Sequence, residues 1–431
     1  MKEGLDGLNR ITDAVFAYRR EPKHAPKANP FAVPGLTFSE FFAGGGMARA
    51  GLGVRWKCLF ANDFDFKKSV TYKENWGDTA LLTKDVAQVK PSEIPGSAAL
   101  TWASFPCQDL SLAGMGAGLK GDRSGTFWPF WNLVKSLNAE QRGPRVIVLE
   151  NVTGTLTSHG GKDFTAIADA LAAEGYRFGA VVIDAVDFVP QSRPRLFIVA
   201  VAAGVEIPAT LLSPDASLLW HPKALQVAHL RLSGKAKEQW VWWKLPAPPR
   251  RNSRFADLVE DNPTSVTWHS TAETAKLIDA MSDLNLDKLV AAKRTGQLLV
   301  GTIYKRTRLD DDDEKKVRAE IRFDDVAGCL RTSSGGSSRQ SIMIVKGDSV
   351  RSRLLSSREA ARLMGLADEY KLPKSYNEAY HLVGDGVVVP VVRYLAEHLL
   401  EPIILSNLPK AAEANASDHS VPEKSRTGKA N

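Results

Sequence analysis

Apolar positions in the first half of the chain come in short bursts. They cover residues 37–42, 57–61, 98–104, 146–149, 178–183 and 196–203, each the length of a buried strand. Between them, residues 46–51, 66–75, 127–138 and 164–174 carry apolar side chains at helical spacing. Strands alternating with helices predict an α/β domain: a mostly parallel, Rossmann-like sheet covered on both faces. In such sheets ligands bind beyond the carboxyl ends of the strands.

The alternation stops near residue 204. Residues 205–345 mix Pro-rich turns, a tryptophan group, an acid run at 310–314 and a Gly/Ser loop at 333–338. A second, smaller and irregular domain is expected there. Helical periodicity returns at 356–364 and 390–400, so 346–408 reads as a further segment. Residues 1–35, with Pro22, Pro26, Pro30 and Pro34, read as an N-terminal arm. The tail 409–431, rich in Ala, Ser, Lys and Glu, is expected to be disordered.

Composition narrows the class. A chain of 431 residues with 44% apolar and 24% charged residues reads as about two folded domains. Its longest apolar run, 196–205, is about half a membrane span. The opening MKEGLDGLNR lacks the apolar stretch of a signal peptide. Three cysteines, Cys58, Cys107 and Cys329, without CxxC spacing fit neither a disulfide framework nor a zinc site. A reducing, cytoplasmic setting is expected, with no metal and no membrane. The net charge of +7 permits a polyanionic partner. Seven basic residues against one acid fall between Arg231 and Arg254, a basic cluster within the second domain.

Three features of the first domain suggest an adenosine-type ligand. Phe42-Ala43-Gly44-Gly45-Gly46 ends a strand in a glycine turn that enters a helix, where a ligand can approach backbone closely. Arg49 takes the place of the third glycine of a dinucleotide fingerprint. Asp63 and Phe64 follow the second strand, where an acid can accept ribose hydroxyls. Asp85 and Val86 suit an adenine amino group and ring. Elsewhere, Pro106-Cys107-Gln108 places a thiol on a rigid loop past a strand end, suited to a nucleophile. Glu150 ends the strand 146–149, where partial burial would favour a proton donor. Arg193 and Arg195, at alternate positions before the last strand, can orient a carboxylate or grip phosphate.

These blocks, followed by Arg358-Glu359-Ala360-Ala361-Arg362 and Gly384-Asp385-Gly386-Val387, resemble the DNA (cytosine-5)-methyltransferases. The resemblance covers about 37–203 and 353–400. It implies a catalytic domain at 36–204, a target-recognition domain at 205–345 and a C-terminal segment that returns to the catalytic domain. It implies S-adenosyl-methionine as methyl donor, leaving S-adenosyl-homocysteine. Phe42, Gly44 and Gly46 would surround the methionine part, Asp63 the ribose, and Phe64, Asp85 and Val86 the adenine. Pro106 and Phe127 would line the cofactor side, and Asp385 and Val387 would close it. Asp385 stands where many members carry asparagine. Cys107 would attack cytosine C6 and Glu150 would hold N3. Arg193 would position Glu150 or the base, and Arg195 would assist through phosphate or carboxylate contacts.

The implied partner is double-stranded DNA, bound by a monomer, with room for a companion restriction endonuclease. Gln108 and Ser111 on the nucleophile loop, Arg250, Arg251 and Arg254 in the basic cluster, and Arg339 and Gln340 after the Gly/Ser loop are the expected DNA contacts. Of the ten tryptophans, Trp220, Trp240, Trp242, Trp243 and Trp268 fall in the second domain, where they suit a small core as well as a DNA face. A tRNA methyltransferase on the same scaffold is the alternative, although the Cys-Phe-Thr signature of that branch is absent. A binding protein without catalysis fits less well, because all the catalytic blocks are present.

Overall fold

The computed structural model describes residues 31–106, 126–309, 315–330 and 339–408. Seven strands form the main sheet: β1 (Thr37–Phe41), β2 (Lys57–Asp63), β3 (Leu81–Thr83), β4 (Leu100–Ala103), β5 (Val146–Val152), β6 (Arg177–Asp184) and β7 (Pro194–Val201). Their order is β3-β2-β1-β4-β5-β7-β6. β7 runs antiparallel to both its neighbours, and every other pairing is parallel. Six of these strands are the bursts read from the sequence. The three residues of β3 are too few to show a period. The reversal of β7 follows from the short turn after β6. The Asp184 carboxylate accepts from the Val186 and Arg193 backbone N–H groups at 3.2 and 2.7 Å, folding the chain straight back.

Helices cover both faces. α1 (Met47–Leu52), α2 (Phe66–Trp76), α3 (Phe127–Ala139) and α4 (Lys162–Ala173) follow strands of the sheet. α3 buries Phe127, Phe130, Trp131, Val134 and Leu137 in a core shared with Phe41, Ile147 and Leu149. The opposite face is closed by C-terminal elements. α9 (Val389–Leu395) lies so close to α1 that a Cβ on Gly51 would come within 2.4 Å of the Val392 Cβ. Trp56 donates its indole N–H to Glu401, on α10 (Glu401–Ser406), at 3.0 Å. Among the described residues no helix is long and apolar enough to cross a membrane.

The segment after β7, with the short paired strands β8 (Leu212–Ser213) and β9 (Trp242–Trp243), first lies along the main sheet. Phe178 on β6 exchanges backbone bonds with this segment: Val241 N–H donates to Phe178 O at 2.8 Å, and Phe178 N–H to Gln239 O at 3.0 Å. Trp240 packs edge-on against Phe164 and Phe178. Trp243 is fully buried, and Trp220 donates to Leu245 O at 3.1 Å. Trp220 and Trp243 are core and Trp240 packs against it half-buried, cementing the segment to the sheet edge.

A second sheet, β11-β10-β12-β13 in order, is fully antiparallel: β10 (Leu298–Leu309), β11 (Lys315–Arg322), β12 (Ser341–Lys346) and β13 (Ser349–Leu354). α5 (Thr271–Asp279) and α6 (Asp283–Arg294) cover one face, burying Leu277 and Leu289 with Ile303, Ile321 and Met343. β13 is joined to α7 (Ser357–Leu363) by a buried bidentate pair, Arg353 with Glu359 at 2.6 and 2.7 Å.

Candidate active site

A cavity of about 610 Å³ opens at the carboxyl ends of β1, β2 and β5. Its walls come from the glycine turn, the end of β2, the entry to the 106–108 loop, β5 with β7, Cys329 and Leu330, and the end of α8 (Tyr376–Asp385).

The glycine turn forms one end. Phe42 sits in the left-handed region at φ 57°, a conformation that costs a non-glycine residue of order 1–3 kcal/mol and clusters at functional sites. Gly44 and Gly46 share that region at φ 54° and 76°. A Cβ on Gly44 would meet nothing within 4 Å, so the backbone faces open space. The turn is clamped from behind. Gly45 O accepts from Trp76 Nε1 at 2.9 Å and from Tyr370 Oη at 2.7 Å.

Asp63 fixes the turn to β2. One carboxylate oxygen accepts from the Gly44 N–H and the other from the Asp65 N–H, both at 2.8 Å. Burial raises its pKa despite these bonds. Phe64 is 72% exposed at the cavity, an apolar ring offered to a flat partner. Across from it, Asp385 accepts from Lys68 Nζ at 2.8 Å. The acid that departs from the usual asparagine therefore has its own cation, which only the fold reveals.

Glu40 was not among the residues expected at the site. It lies in the middle of β1, buried, and lines the cavity. Burial pushes its pKa up to about 8, against the pull of Arg49 and of the Arg49 and Ala48 N–H groups. One carboxylate oxygen, Oε2, is buried without a partner. The available signal was a charged residue inside a strand of the sheet.

The other end carries ionisable chemistry. Glu150, at the end of β5, is buried, and Arg195 Nε lies 3.3 Å from its Oε1. Asn151 Nδ2 donates to Phe105 O at 3.1 Å, pinning the backbone that leads into Pro106. Arg193 is fully enclosed. It donates to Gly384 O and Gly386 O at 2.8 Å, to Leu330 O at 2.9 Å and to Cys329 Sγ at 3.2 Å. Burial, then Arg195, lowers its pKa to about 10. Arg195, not Arg193, contacts Glu150, while Arg193 holds the backbone of two distant segments. Gln191 works alongside, accepting from Leu330 N–H at 3.1 Å and donating to Leu363 O at 2.8 Å.

Phe42, Gly44, Asp63, Phe64, Pro106, Glu150, Arg193, Arg195, Asp385 and Val387 thus line one cavity. Four expected contacts do not. Gly46 is the left-handed N-cap of α1, backed by Trp76 and Tyr72. Asp85 caps a short 3-10 turn by accepting from Ala87 N–H at 2.9 Å. Val86 and Phe127 are buried together in the hydrophobic core. Cys107, Gln108 and Ser111 lie outside the described residues.

The expected DNA contacts also divide. Arg250 is exposed. Arg254 pairs with Asp257 at 3.0 Å and Arg251 reaches Asp325 at 3.4 Å, so both are engaged within the chain. Arg339 lies over the Tyr376 ring at 5.4 Å. Gln340 is buried, its backbone N–H donating to Tyr380 Oη at 3.1 Å, which removes it from a DNA surface.

A family model described as C-5 cytosine-specific DNA methylase matches residues 36–401. Among curated proteins, the chain is 24% identical to the Type II methyltransferase M.HhaI of Haemophilus parahaemolyticus, covering 85% of this chain and 95% of that one. It is 23% identical to M.HpaII of Haemophilus parainfluenzae, over 94% and 99%. Among solved structures, DNMT2 of Spodoptera frugiperda superposes with a TM-score of 0.53 at 15% identity, over 86% of this chain and 99% of that one. The Entamoeba histolytica methyltransferase EhMeth gives 0.53 at 13% identity, over 88% and 100%. These two share the fold.

Proposed function

The chain belongs to the C-5 cytosine-specific DNA methylases, and we propose that it methylates C5 of a specific cytosine flipped out of duplex DNA, with S-adenosyl-methionine as donor. The observation that carries this reading is one cavity lined by both the glycine turn with Asp63 and the Glu150–Arg195 pair.

The residues at the glycine end fit the donor. The unpartnered Oε2 of Glu40 suits an ammonium group. Asp63 keeps acceptor capacity for ribose hydroxyls, exposed Phe64 suits the adenine face, and the open side of Gly44 admits close approach. Bound there, S-adenosyl-methionine would supply an electrophilic methyl group on a sulfonium, with S-adenosyl-homocysteine as the product.

The chain's own residues activate the base. Cytosine C5 is a poor nucleophile, so the Cys107 thiolate adds to C6 and makes C5 electron-rich. Glu150 donates its proton to N3 and takes up the charge that develops in the ring. Arg195 holds the Glu150 carboxyl, and Arg193 fixes the 384–386 backbone beside it. After methylation, a solvent base takes the C5 proton, the electrons of that bond form the C5–C6 double bond as the Cys107–C6 bond breaks and restores the thiolate, and N3 returns its proton to Glu150. Extrusion of the base costs about a few kcal/mol, offset by phosphate contacts from residues such as the exposed Arg250. As the modification half of a restriction–modification system, the enzyme would work in the cytoplasm.

Labelled methyl transfer to duplex DNA and to tRNA tests this. Transfer to the duplex alone is expected, with Cys107→Ser abolishing it. Substantial transfer by that variant would remove Cys107 as nucleophile, and transfer to tRNA alone would replace the DNA reading.

A further inference from the structure

Beyond Ile303 the second sheet narrows to a two-stranded ribbon. β12 pairs with β10 only as far as that residue, while β11 follows β10 on to Leu309. Two strands alone gain little stability. The faces of the ribbon differ, because side chains alternate along a strand. Ile303 and Ile321, opposite each other, are buried with residues of α5 and α6. The other face carries Tyr304 opposite Glu320, then Arg306 opposite Arg318. Like charges directly opposite each other destabilise a strand pair. Arg306 is exposed, lies over the Tyr304 ring at 5.8 Å and reaches Glu320 at 3.5 Å. Arg318 has no ion-pair partner among the described residues. Arg322, further in on this face, is taken by Asp324.

This face adjoins the cavity. Thr302, opposite Arg322, donates to Val326 O at 3.3 Å. The Tyr304 hydroxyl packs onto Gly328, where a Cβ would lie 0.9 Å from it. The next two residues, Cys329 and Leu330, line the cavity. Arg306 and Arg318 stand about 7 Å further out along the strands, a step of two residues. Arg339 belongs to the same neighbourhood. Its guanidinium lies over the ring of Tyr376, on α8, and its buried Nε has no hydrogen-bond partner. Tyr380, one helical turn on, neighbours both Arg339 and Cys329.

A guanidinium can grip a phosphate with two parallel hydrogen bonds. Arg251 and Arg254 would first have to leave Asp325 and Asp257, whereas Arg318 and Arg339 give up no carboxylate. Residues 310–314 join the two strands in sequence, lie outside the described residues and are all acidic. A polyanion is therefore favoured on the face of the ribbon and not at its tip. We propose, on the duplex-DNA reading above, that Arg306, Arg318 and Arg339 grip the phosphate backbone beside the extruded cytosine. The outer face of the β10–β11 ribbon then does the work expected of Arg251 and Arg254. A phosphate between Arg306 and Arg318 also relieves their repulsion.

The salt dependence of binding tests this. Full-length protein is titrated with a fluorescent duplex of arbitrary sequence at several salt concentrations, since phosphate contacts do not read sequence. Each lost contact should flatten the slope of log K against log salt by about 0.9, so Arg318→Gln with Arg339→Gln should flatten it by about 1.8. Arg318→Lys keeps the charge and should keep the wild-type slope. Arg254→Gln makes the same change in net charge but removes an arginine paired with Asp257, and its slope should stay at the wild-type value. In methyl transfer to genomic DNA, Arg318→Gln should raise KM for DNA about tenfold, with KM for S-adenosyl-methionine unchanged. Should Arg339→Gln lower Tm, Arg318→Gln alone carries the test. A wild-type slope in the glutamine variants overturns the proposal. So does an equal change in Arg254→Gln, which would trace the effect to net charge, or a change seen with tRNA but not with the duplex. If the wild-type chain binds the duplex but transfers no methyl to it, the functional reading fails, while the slopes still decide the role of the ribbon.

Discussion

Glu40 shows how one side chain can make ligand binding depend on pH. In the unfolded chain its carboxyl ionises near the ordinary value of 4.5, but in the folded protein burial holds it neutral up to about pH 8. The sign follows from linkage. Between those values the unfolded state sheds a proton that the folded state keeps, so Glu40 costs stability increasingly as pH rises, and the cost levels off above about 8. The Glu40→Gln protein should therefore lose less Tm than wild type between pH 5 and 8. An ammonium docked at Oε2 favours the ionised form. Wild-type affinity for S-adenosyl-methionine should rise with pH toward 8 and release a proton, whereas Glu40→Gln should bind with a flat profile. Calorimetric titration in two buffers of different ionisation enthalpy reads both effects. At this scale the sequence showed an acid in a strand of the sheet but not its ionisation, which depends on what surrounds it.

Among elements, the join between β13 and α7 is the most exposed to single substitutions. Arg353 and Glu359 are both buried, and the Glu359 carboxylate also accepts from Ser356 N–H at 2.7 Å, within the capping box that starts α7. Removing one partner of a buried pair strands the other charge, typically at about 3–5 kcal/mol, while replacing both with apolar residues is often near neutral. Arg353→Met should lower unfolding stability by about that amount in urea titration. Arg353→Met with Glu359→Leu should regain much of the loss. A double variant no more stable than the single one would show that the pair is needed for more than charge balance.

The limits of a local reading also lie at this scale. The strands of the first sheet were legible because a buried strand must be apolar in sequence. The reversal of β7 was not, because strand direction depends on which neighbour supplies the hydrogen bonds. The basic cluster looked uniform along the chain. In the fold Arg251 and Arg254 meet Asp325 and Asp257, while Arg250 stays exposed.

For the whole molecule, Arg193 is the point where distant parts of the chain meet. From the start of β7 it holds the carbonyls of Gly384 and Gly386, at the end of α8, and of Leu330 before the second sheet's β12. Loss of the side chain leaves three carbonyls short of a donor, at about 1–3 kcal/mol for each buried group that stays unsatisfied. Arg193→Ala is expected to weaken S-adenosyl-methionine binding by at least tenfold, because the 384–387 backbone lines that end of the cavity. Direct titration of the variant measures this apart from catalysis. Unchanged affinity would mean that α8 is held by its own packing.

The sequence by itself determined which residue types could do chemistry and in what order they occur. It also determined most strands and helices of the first domain, since both periodicity and motif spacing are local properties. Only the tertiary structure decided which of those residues share a cavity. It moved Val86, Phe127, Trp220 and Trp243 into the core, brought Cys329 to the arginine pair and gave Asp385 its lysine. The physical reason is that burial, ionisation and ion pairing are set by neighbours far away along the chain, 317 positions in the case of Lys68 and Asp385.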